Sequence, residues 1–290
     1  MRFSAYDGAL EAEGFCLLSH KIACRAAKSF AATALLVAAA MPMAARAQAV
    51  QTTPAKPPCD APKDLLRLAN PLSRVARKLS AHQPIVIVAI GSSSTAGAGA
   101  SSKAATYPSR LAVELKQHFP NEKITVLNRG IGGEEVLDML KRFDKAVIEA
   151  RPDLVLWQLG TNSVIRNHRM SDHGAAIRAG LKKIRAAGAD VVLIDPQFAP
   201  KVIAKPDAAL MVKLIAVTAK QEGVELFRRY DVMKRWHDRD NLKFDTFVSP
   251  DGLHMNDWSY ACMAKGLGAA IAEAAQRPVL SATTGSHLVP

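Results

Sequence analysis

The pattern of apolar and polar positions alternates along the chain between two kinds of segment. Short apolar runs rich in β-branched residues predict buried strands, and longer runs with apolar positions at helical spacing predict amphipathic helices. The predicted strands are residues 85–90, 124–128, 154–159, 191–194 and 224–227. The predicted helices are residues 64–80 with a break near Pro71, 107–119, 134–149, 173–187, 207–222, 232–238 and 259–274.

This alternation predicts the fold class. Strands that alternate with helices of this length form right-handed crossovers and a parallel sheet with helices on both faces. We therefore expect an α/β protein, a three-layer α/β/α sandwich of about five parallel strands. The chain has no internal repeat, which favours a single catalytic domain over residues 64–278, between a proline-rich linker at 48–63 and a flexible tail at 279–290.

The first 47 residues have the pattern of a signal peptide. Basic residues precede an apolar run at 29–40, and small residues at 41–49 are spaced as at a signal-peptidase site. The apolar run is too short to span a bilayer but fits the core of a signal peptide. A retained amphipathic anchor is the alternative. The sequence thus predicts a periplasmic or secreted protein with no stable membrane span once the leader is removed.

Charge and cysteine content narrow the possible partners. The formal net charge is +12, and it becomes +10 without the leader, which holds five basic and three acidic residues. The sequence has no block of Lys and Arg of the kind that binds nucleic acid. The excess of positive charge therefore indicates either ordinary solubility or attraction to acidic polysaccharide or anionic envelope surfaces. Cys16 and Cys24 lie in the leader. Cys59 and Cys262 remain and predict one disulfide in an oxidising compartment, with two free thiols as the alternative.

The first strand runs directly into three serines, Ser92, Ser93 and Ser94. Parallel sheets bind and react beyond the carboxyl ends of their strands, so this turn is the first place to look for chemistry. A phosphate-binding loop is disfavoured because no Gly-Lys-Ser/Thr sequence follows. A dinucleotide site is disfavoured because Ser102 stands where a third glycine is needed, and because the second strand ends at Asn128 and not at an acidic residue. The remaining interpretations are a serine nucleophile and a simple helix cap.

A base for such a nucleophile occurs near the far end of the chain. Asp251 and His254 are three residues apart, so in a helical turn they lie on one face, where the carboxylate can orient the imidazole. The Pro-Asp-Gly sequence at 250–252 also fits a plain turn. Two further loops, at 128–133 and 160–163, end strands on the same edge of the sheet and offer glycine N–H groups and an asparagine amide as oxyanion donors. Each glycine taken alone fits a purely conformational role equally well.

Together these segments resemble the four sequence blocks of the GDSL/SGNH hydrolases, in the order and spacing of that family. The resemblance covers about residues 85–274. The blocks are Gly91-Ser92-Ser93-Ser94-Thr95-Ala96-Gly97, Asn128-x-Gly130-x-x-Gly133, Gly160-Thr161-Asn162 and Asp251-x-x-His254.

The resemblance implies a flavodoxin-like sandwich and a role for each matching residue. Ser93 would be the nucleophile, His254 the general base and then acid, and Asp251 the residue that orients His254. The oxyanion donors would be the N–H groups of Ser93 and Gly133 and the side-chain amide of Asn162. The resemblance implies no cofactor, and the sequence shows no Cys/His cluster with metal-ligand spacing.

The sequence departs from the family pattern at two positions. Ser92 and Ser163 stand where the family has aspartate, and we expect altered loop hydrogen bonding with the chemistry retained. Trp258 and Tyr107 are further candidates for lining the site, while Trp157 and Trp236 are predicted to pack in the core or on a helix face rather than to bind sugar.

The predicted function is a serine esterase that hydrolyses short-chain O-acyl esters of a small molecule or a polysaccharide. Two alternatives stay open. The same residues would serve an O-acyltransferase acting on envelope or extracellular polysaccharide, and the same fold would serve a catalytically silent carbohydrate-binding domain.

Overall fold

Five parallel strands form the sheet on which the protein is built. The computed structural model describes residues 57–59, 61–168 and 171–278. The strands are β1 (Ile85–Gly91), β2 (Ile124–Gly130), β3 (Leu154–Gln158), β4 (Asp190–Ile194) and β5 (Glu225–Phe227), in the spatial order β2-β1-β3-β4-β5. Every residue of the central strand β3 is buried, which explains its run of apolar residues, whereas no residue of the edge strand β2 is fully buried. The predicted parallel sheet of about five strands is confirmed.

Helices cover both faces of this sheet. They are α1 (Lys63–Leu66), α2 (Ser73–Ser80), α3 (Ser93–Ala96), α4 (Tyr107–His118), α5 (Val136–Lys141), α6 (Phe143–Ala146), α7 (Thr161–Ile165), α8 (His173–Ala186), α9 (Pro200–Ile203), α10 (Ala208–Glu222), α11 (Arg229–Asp238), α12 (Phe244–Phe247) and α13 (Asp257–Gln276). Short 3₁₀ turns occur at Lys103–Ala105 and Ile148–Ala150. Helix α13 packs on α4 and α2, whereas α8 packs on α5 and α10. The three-layer α/β/α architecture is therefore as predicted.

Two differences concern helices. The single helix predicted at 134–149 is broken into α5, α6 and a 3₁₀ turn, and the break falls at Arg142, whose backbone leaves the helical region. The helices α3, α7, α9 and α12 were not predicted because one turn of four or five residues cannot display helical periodicity. The predicted interruption near Pro71 is found between α1 and α2.

A disulfide joins the N-terminal segment to the last helix. Cys59 and Cys262, 203 residues apart, are bonded with a Sγ–Sγ distance of 1.94 Å. The indole N–H of Trp258 donates to the carbonyl of Pro57 at 3.0 Å and adds a second link between the same two segments. The predicted disulfide is thus present.

The other segments assigned from the sequence fall partly outside the described ranges. The predicted signal peptide at 1–47, most of the linker at 48–63 and the tail at 279–290 lie outside them. Trp157 and Trp236 are buried, as predicted. Among the described residues, no helix has both the length and the apolar character needed to cross a membrane.

Candidate active site

Of the three serines after β1, only Ser93 is left partly accessible. The backbone N–H and the hydroxyl of Ser92 both donate to Gln158 Oε1, at 2.9 and 3.0 Å, and Ser92 is buried. Ser94 is fully buried, with its hydroxyl 3.5 Å from Gln197 Oε1. Ser93 begins α3 and is the one member of the run that a substrate can reach.

Asp251 and His254 lie in a tight turn and not in the helical turn that a spacing of three residues allows. An antiparallel bridge between Val248 and Met255 closes the turn. Asp251 Oδ1 accepts hydrogen bonds from the backbone N–H groups of Leu253 and His254, both at 2.9 Å. These bonds fold the carboxylate back over its own turn and leave Oδ2 directed at the imidazole. The Pro-Asp-Gly signal for a plain turn was therefore the better guide to local structure.

The structure brings Ser93, His254 and Asp251 into one hydrogen-bonded line. His254 Nδ1 is 2.5 Å from Asp251 Oδ2, and His254 Nε2 is 2.8 Å from Ser93 Oγ. Burial acts to raise the pKa of the Asp251 carboxyl, but hydrogen bonds from His254 and Leu253 outweigh it and hold the pKa below its ordinary value of 3.8. An ionised Asp251 requires a proton on Nδ1, so Nε2 is free to accept the proton of Ser93.

The loop after β2 is fastened beside the serine turn. The N–H of Ile131 donates to the carbonyl of Gly91 at 3.0 Å, and the Asn128 amide donates to the carbonyl of Thr95 at 2.8 Å. A Cβ on Gly130 would lie 2.1 Å from the backbone nitrogen of Ala96, so only glycine allows this approach. Asn128 and Gly130 thus hold the loop against α3.

Gly133 belongs to the loop after β2, which approaches Ser93, and Asn162 belongs to α7, which contacts that loop. Gly133 has a φ of +79°, and a Cβ on the preceding Gly132 would lie 3.9 Å from Ser93 Cβ. Asn162 lies in the first turn of α7, and its amide donates to the carbonyl of Glu134 at 2.8 Å. That bond uses one amide hydrogen and leaves the other available. The Asn162 amide therefore contacts the segment that follows Gly133, and the predicted role of this amide and of the Ser93 and Gly133 N–H groups as oxyanion donors stays a prediction.

Two buried glutamines that the sequence analysis did not single out hold these loops. Gln158 ends β3 and accepts from Ser92. Gln197 follows β4, accepts from the hydroxyl of Thr161 at 2.9 Å, and donates to the carbonyl of Leu253 at 3.2 Å. Gln197 therefore links α7 to the turn that carries His254. The only sequence signal was the position of each glutamine at the carboxyl end of an apolar strand.

Trp258 and Tyr107, the two aromatic candidates, take no direct part in this cluster. Tyr107 is fully buried, its hydroxyl lies 3.2 Å from Thr95 Oγ1, and burial raises the pKa of that hydroxyl to about 12. Trp258 is also buried and borders a separate cavity of about 630 Å³, whose lining includes neither Ser93 nor Asn162.

Within the described ranges, no group of three or more His, Cys, Asp or Glu side chains is arranged to hold a metal ion. The expectation that the chemistry needs no metal or cofactor stays a prediction.

Comparison with known proteins agrees with this architecture. Residues 58–277 match the profile of the non-GDSL lipase-like family. A two-domain esterase (CEX) active on acetylated mannans superposes with a TM-score of 0.64 at 18% identity, covering 78% of this chain and 60% of that one. Axe2, an acetylxylan esterase from Geobacillus stearothermophilus, superposes with a TM-score of 0.56 at 19% identity, covering 64% of this chain and 94% of that one.

At such identities, these superpositions show a common fold. The chain spans about 60% of the length of the two-domain esterase. No protein with a curated description matches the chain in sequence.

The family match supports the predicted enzyme class at a coarse level, a hydrolase of ester bonds, because the family is described as lipase-like. The narrower resemblance to the GDSL/SGNH hydrolases is not tested by this match. Since the profile covers most of the sequence, the chain belongs to the non-GDSL lipase-like family.

Proposed function

We propose that this protein is an exported serine esterase of the SGNH type that removes short acyl groups, above all acetyl, from the hydroxyls of a polysaccharide. The observation that carries the proposal is the hydrogen-bonded line from Ser93 through His254 to Asp251. A second support comes from the solved structures of similar fold, which are described as active on acetylated mannans and as an acetylxylan esterase.

The mechanism follows from which group can accept each proton. His254 Nε2 takes the proton of Ser93 as Oγ attacks the ester carbonyl carbon, and the carbonyl oxygen becomes an oxyanion. The N–H groups of Ser93 and Gly133 and the amide of Asn162 stabilise that charge. As the tetrahedral intermediate collapses, the bond from the acyl carbon to the sugar oxygen breaks, the protonated His254 gives its proton to that oxygen, and an acyl-enzyme remains.

Deacylation repeats these steps with water as the nucleophile. His254 removes a proton from water, the hydroxide attacks the acyl carbon, and Ser93 Oγ leaves with that proton. Asp251 stays ionised throughout and stabilises the imidazolium that forms in each half-reaction. A purely carbohydrate-binding role would not require these three residues to be aligned at hydrogen-bonding distances.

We propose the periplasm or the extracellular space as the place of action. The disulfide between Cys59 and Cys262 favours an oxidising compartment. The leader-like composition of residues 1–47 supports the same location.

The test measures acetate released from acetylated xylan and acetylated glucomannan, together with hydrolysis of p-nitrophenyl esters of increasing chain length. We expect acetate release, a preference for the acetyl ester, and loss of both activities in Ser93→Ala. Ser80→Ala, which changes an exposed serine at the end of α2, is the matched control and should behave like the parent protein.

Three outcomes would contradict the proposal in different ways. A strong preference for long acyl chains would refute the acetyl assignment. Transfer of acetyl to an added sugar in preference to water would identify an acyltransferase. Activity that persists in Ser93→Ala would refute the assigned nucleophile.

A further inference from the structure

The carboxylate of Glu135 connects the two loops that carry the oxyanion donors. Glu135 lies two residues after Gly133, at the start of α5. Its Oε2 accepts from the Ser163 hydroxyl at 2.8 Å, and its Oε1 accepts from Arg166 Nη1 at 2.6 Å. His168 Nδ1 is 3.0 Å from Oε2. One side chain of the β2 loop therefore holds three side chains of α7 and the residues just after it.

Asn162, one of the proposed oxyanion donors, contacts the backbone next to Glu135. Asn162, the residue before Ser163, donates its side-chain amide to the carbonyl of Glu134. Arg166 Nη2 approaches to 3.4 Å from where a Cβ on Gly133 would lie, so its guanidinium reaches from Glu135 to the glycine. Gly133 has no side chain to fix its N–H, and its direction depends on how the Glu134–Glu135 segment is held.

Glu135 is suited to hold that segment as an anion. Its side chain is 12% exposed. Burial acts to raise the pKa of the carboxyl, but hydrogen bonds from Arg166, His168 and Ser163 together lower it below the ordinary value of 4.5. Charge-assisted hydrogen bonds are stronger and more directional than neutral ones, so an ionised carboxylate makes a firm connection.

The groups around Glu135 leave it no role in proton transfer to the substrate. His173 Nε2 is 2.6 Å from Ser163 Oγ and 4.0 Å from Glu135 Oε2. The Asp138 carboxylate accepts from the backbone N–H of Glu135 at 3.3 Å and closes the cap of α5. Glu135, Asp138 and His173 border a cavity of about 330 Å³ whose lining does not include Ser93.

We propose that Glu135 is a positioning residue that fixes the N–H of Gly133 and the amide of Asn162 at the separation a tetrahedral oxyanion requires. The inference rests on the proposed esterase function and goes beyond it, because Glu135 touches none of Ser93, His254 or Asp251. Donors aligned to the oxyanion act mainly in the transition state, so their misplacement lowers kcat with little change in KM.

The test compares Glu135→Gln with Glu122→Gln. Glu122 is a matched control because its side chain is also 12% exposed and also contacts a histidine, His82, but precedes β2 at the opposite end of the strand. For Glu135→Gln we expect kcat for p-nitrophenyl acetate to fall about 10- to 100-fold, with KM within about threefold, as expected for slightly misplaced donors. The rate of inactivation by a fluorophosphonate, which also needs the oxyanion donors, should fall by a similar factor.

A rescue variant separates positioning from general stability. Adding Ser163→Asp to Glu135→Gln places a carboxylate on the other side of the same contact, and kcat should recover at least about fivefold. Failure to recover would contradict the proposal, and so would a kcat of Glu135→Gln within twofold of the parent. If Glu135→Gln does not fold, Ser163→Ala carries the test, with a drop in kcat supporting the proposal and an unchanged kcat refuting it.

These results are distinguishable from failure of the proposed function. A parent protein that neither hydrolyses the ester nor reacts with the phosphonate would refute the esterase assignment and this inference with it. An active parent with an equally active Glu135→Gln variant would refute the inference alone.

Discussion

Replacing Asp251 with asparagine should reverse the proton arrangement of His254 while leaving the turn in place. Asp251 Oδ1 accepts from the N–H groups of Leu253 and His254, and an asparagine oxygen can do the same. The asparagine NH₂ would then occupy the position of Oδ2, 2.5 Å from His254 Nδ1. An NH₂ group donates, so Nδ1 must accept and the ring proton moves to Nε2, where it blocks proton transfer from Ser93.

The size of the effect has two parts. At a charge separation of roughly 4 Å, the attraction between Asp251 and an imidazolium is about 1 kcal/mol in water and about 4 kcal/mol at an effective dielectric constant of 20. The Asp251 side chain is 43% exposed, so the charge contribution lies between these limits. The unfavourable tautomer of His254 raises the barrier further. The sum is a loss in kcat of about 10³- to 10⁴-fold, or about 4 to 5.5 kcal/mol in the barrier.

The assay is the kcat for p-nitrophenyl acetate, measured together with the far-UV spectrum and the melting temperature to show that the fold and its stability are retained. Asp144→Asn is the matched control, because Asp144 forms its ion pair with Lys183 on the helix layer, and it should keep full activity. A loss smaller than about 30-fold in Asp251→Asn would refute the role assigned to Asp251.

Three further predictions address stability and local packing. Replacing Cys59 and Cys262 together by alanine should lower the free energy of unfolding by about 5 kcal/mol at most, since the bond closes a loop of 203 residues; urea unfolding that is identical with and without the bond would contradict this. Gly130→Ala would place a Cβ 2.1 Å from the Ala96 nitrogen. We expect this clash to lower the free energy of unfolding by about 1 to 3 kcal/mol and to remove most of the esterase activity. A variant with the melting temperature and kcat of the parent would show that the contact is not tight. Burial raises the pKa of Asp195 from 3.8 to about 7, so its contribution to stability is complete below pH 3.8 and is lost as the pH rises through 7. The free energy of unfolding in urea should be lower at pH 8 than at pH 5 in the parent, and the difference should be smaller in Asp195→Asn. Equal differences in the two proteins would count against a raised pKa of Asp195.

Most of the fold could be predicted from the sequence, because its strands are strongly apolar and separated by amphipathic helices. The helices that carry Ser93 and Asn162 were missed, since each is a single turn whose form is set by tertiary contacts. The Gly130 contact with α3 is likewise invisible in sequence, because it depends on the alignment of β2 with β1.

The structure brings together Ser93, His254 and Asp251, the reacting groups predicted from the sequence, but the residues that hold them in place were not predicted. The sequence indicated that Ser92 and Ser163 would change the loop hydrogen bonds, but it could not name their partners. Ser92 bonds to Gln158, 66 residues away, and Ser163 bonds to Glu135, 28 residues away, and to His173. Such contacts between sequence-distant polar residues carry no periodic signal, so only the folded structure reveals them.

The assignment of Ser93 as the nucleophile is tested most directly by locating the adduct that a fluorophosphonate forms. Intact mass and peptide mapping of the treated protein should show one adduct, on Ser93, and none in Ser93→Ala. An adduct on Ser92 or Ser94 that persists in Ser93→Ala would contradict the assigned nucleophile. An unmodified parent protein would contradict the claim that Ser93, His254 and Asp251 form an activated catalytic triad.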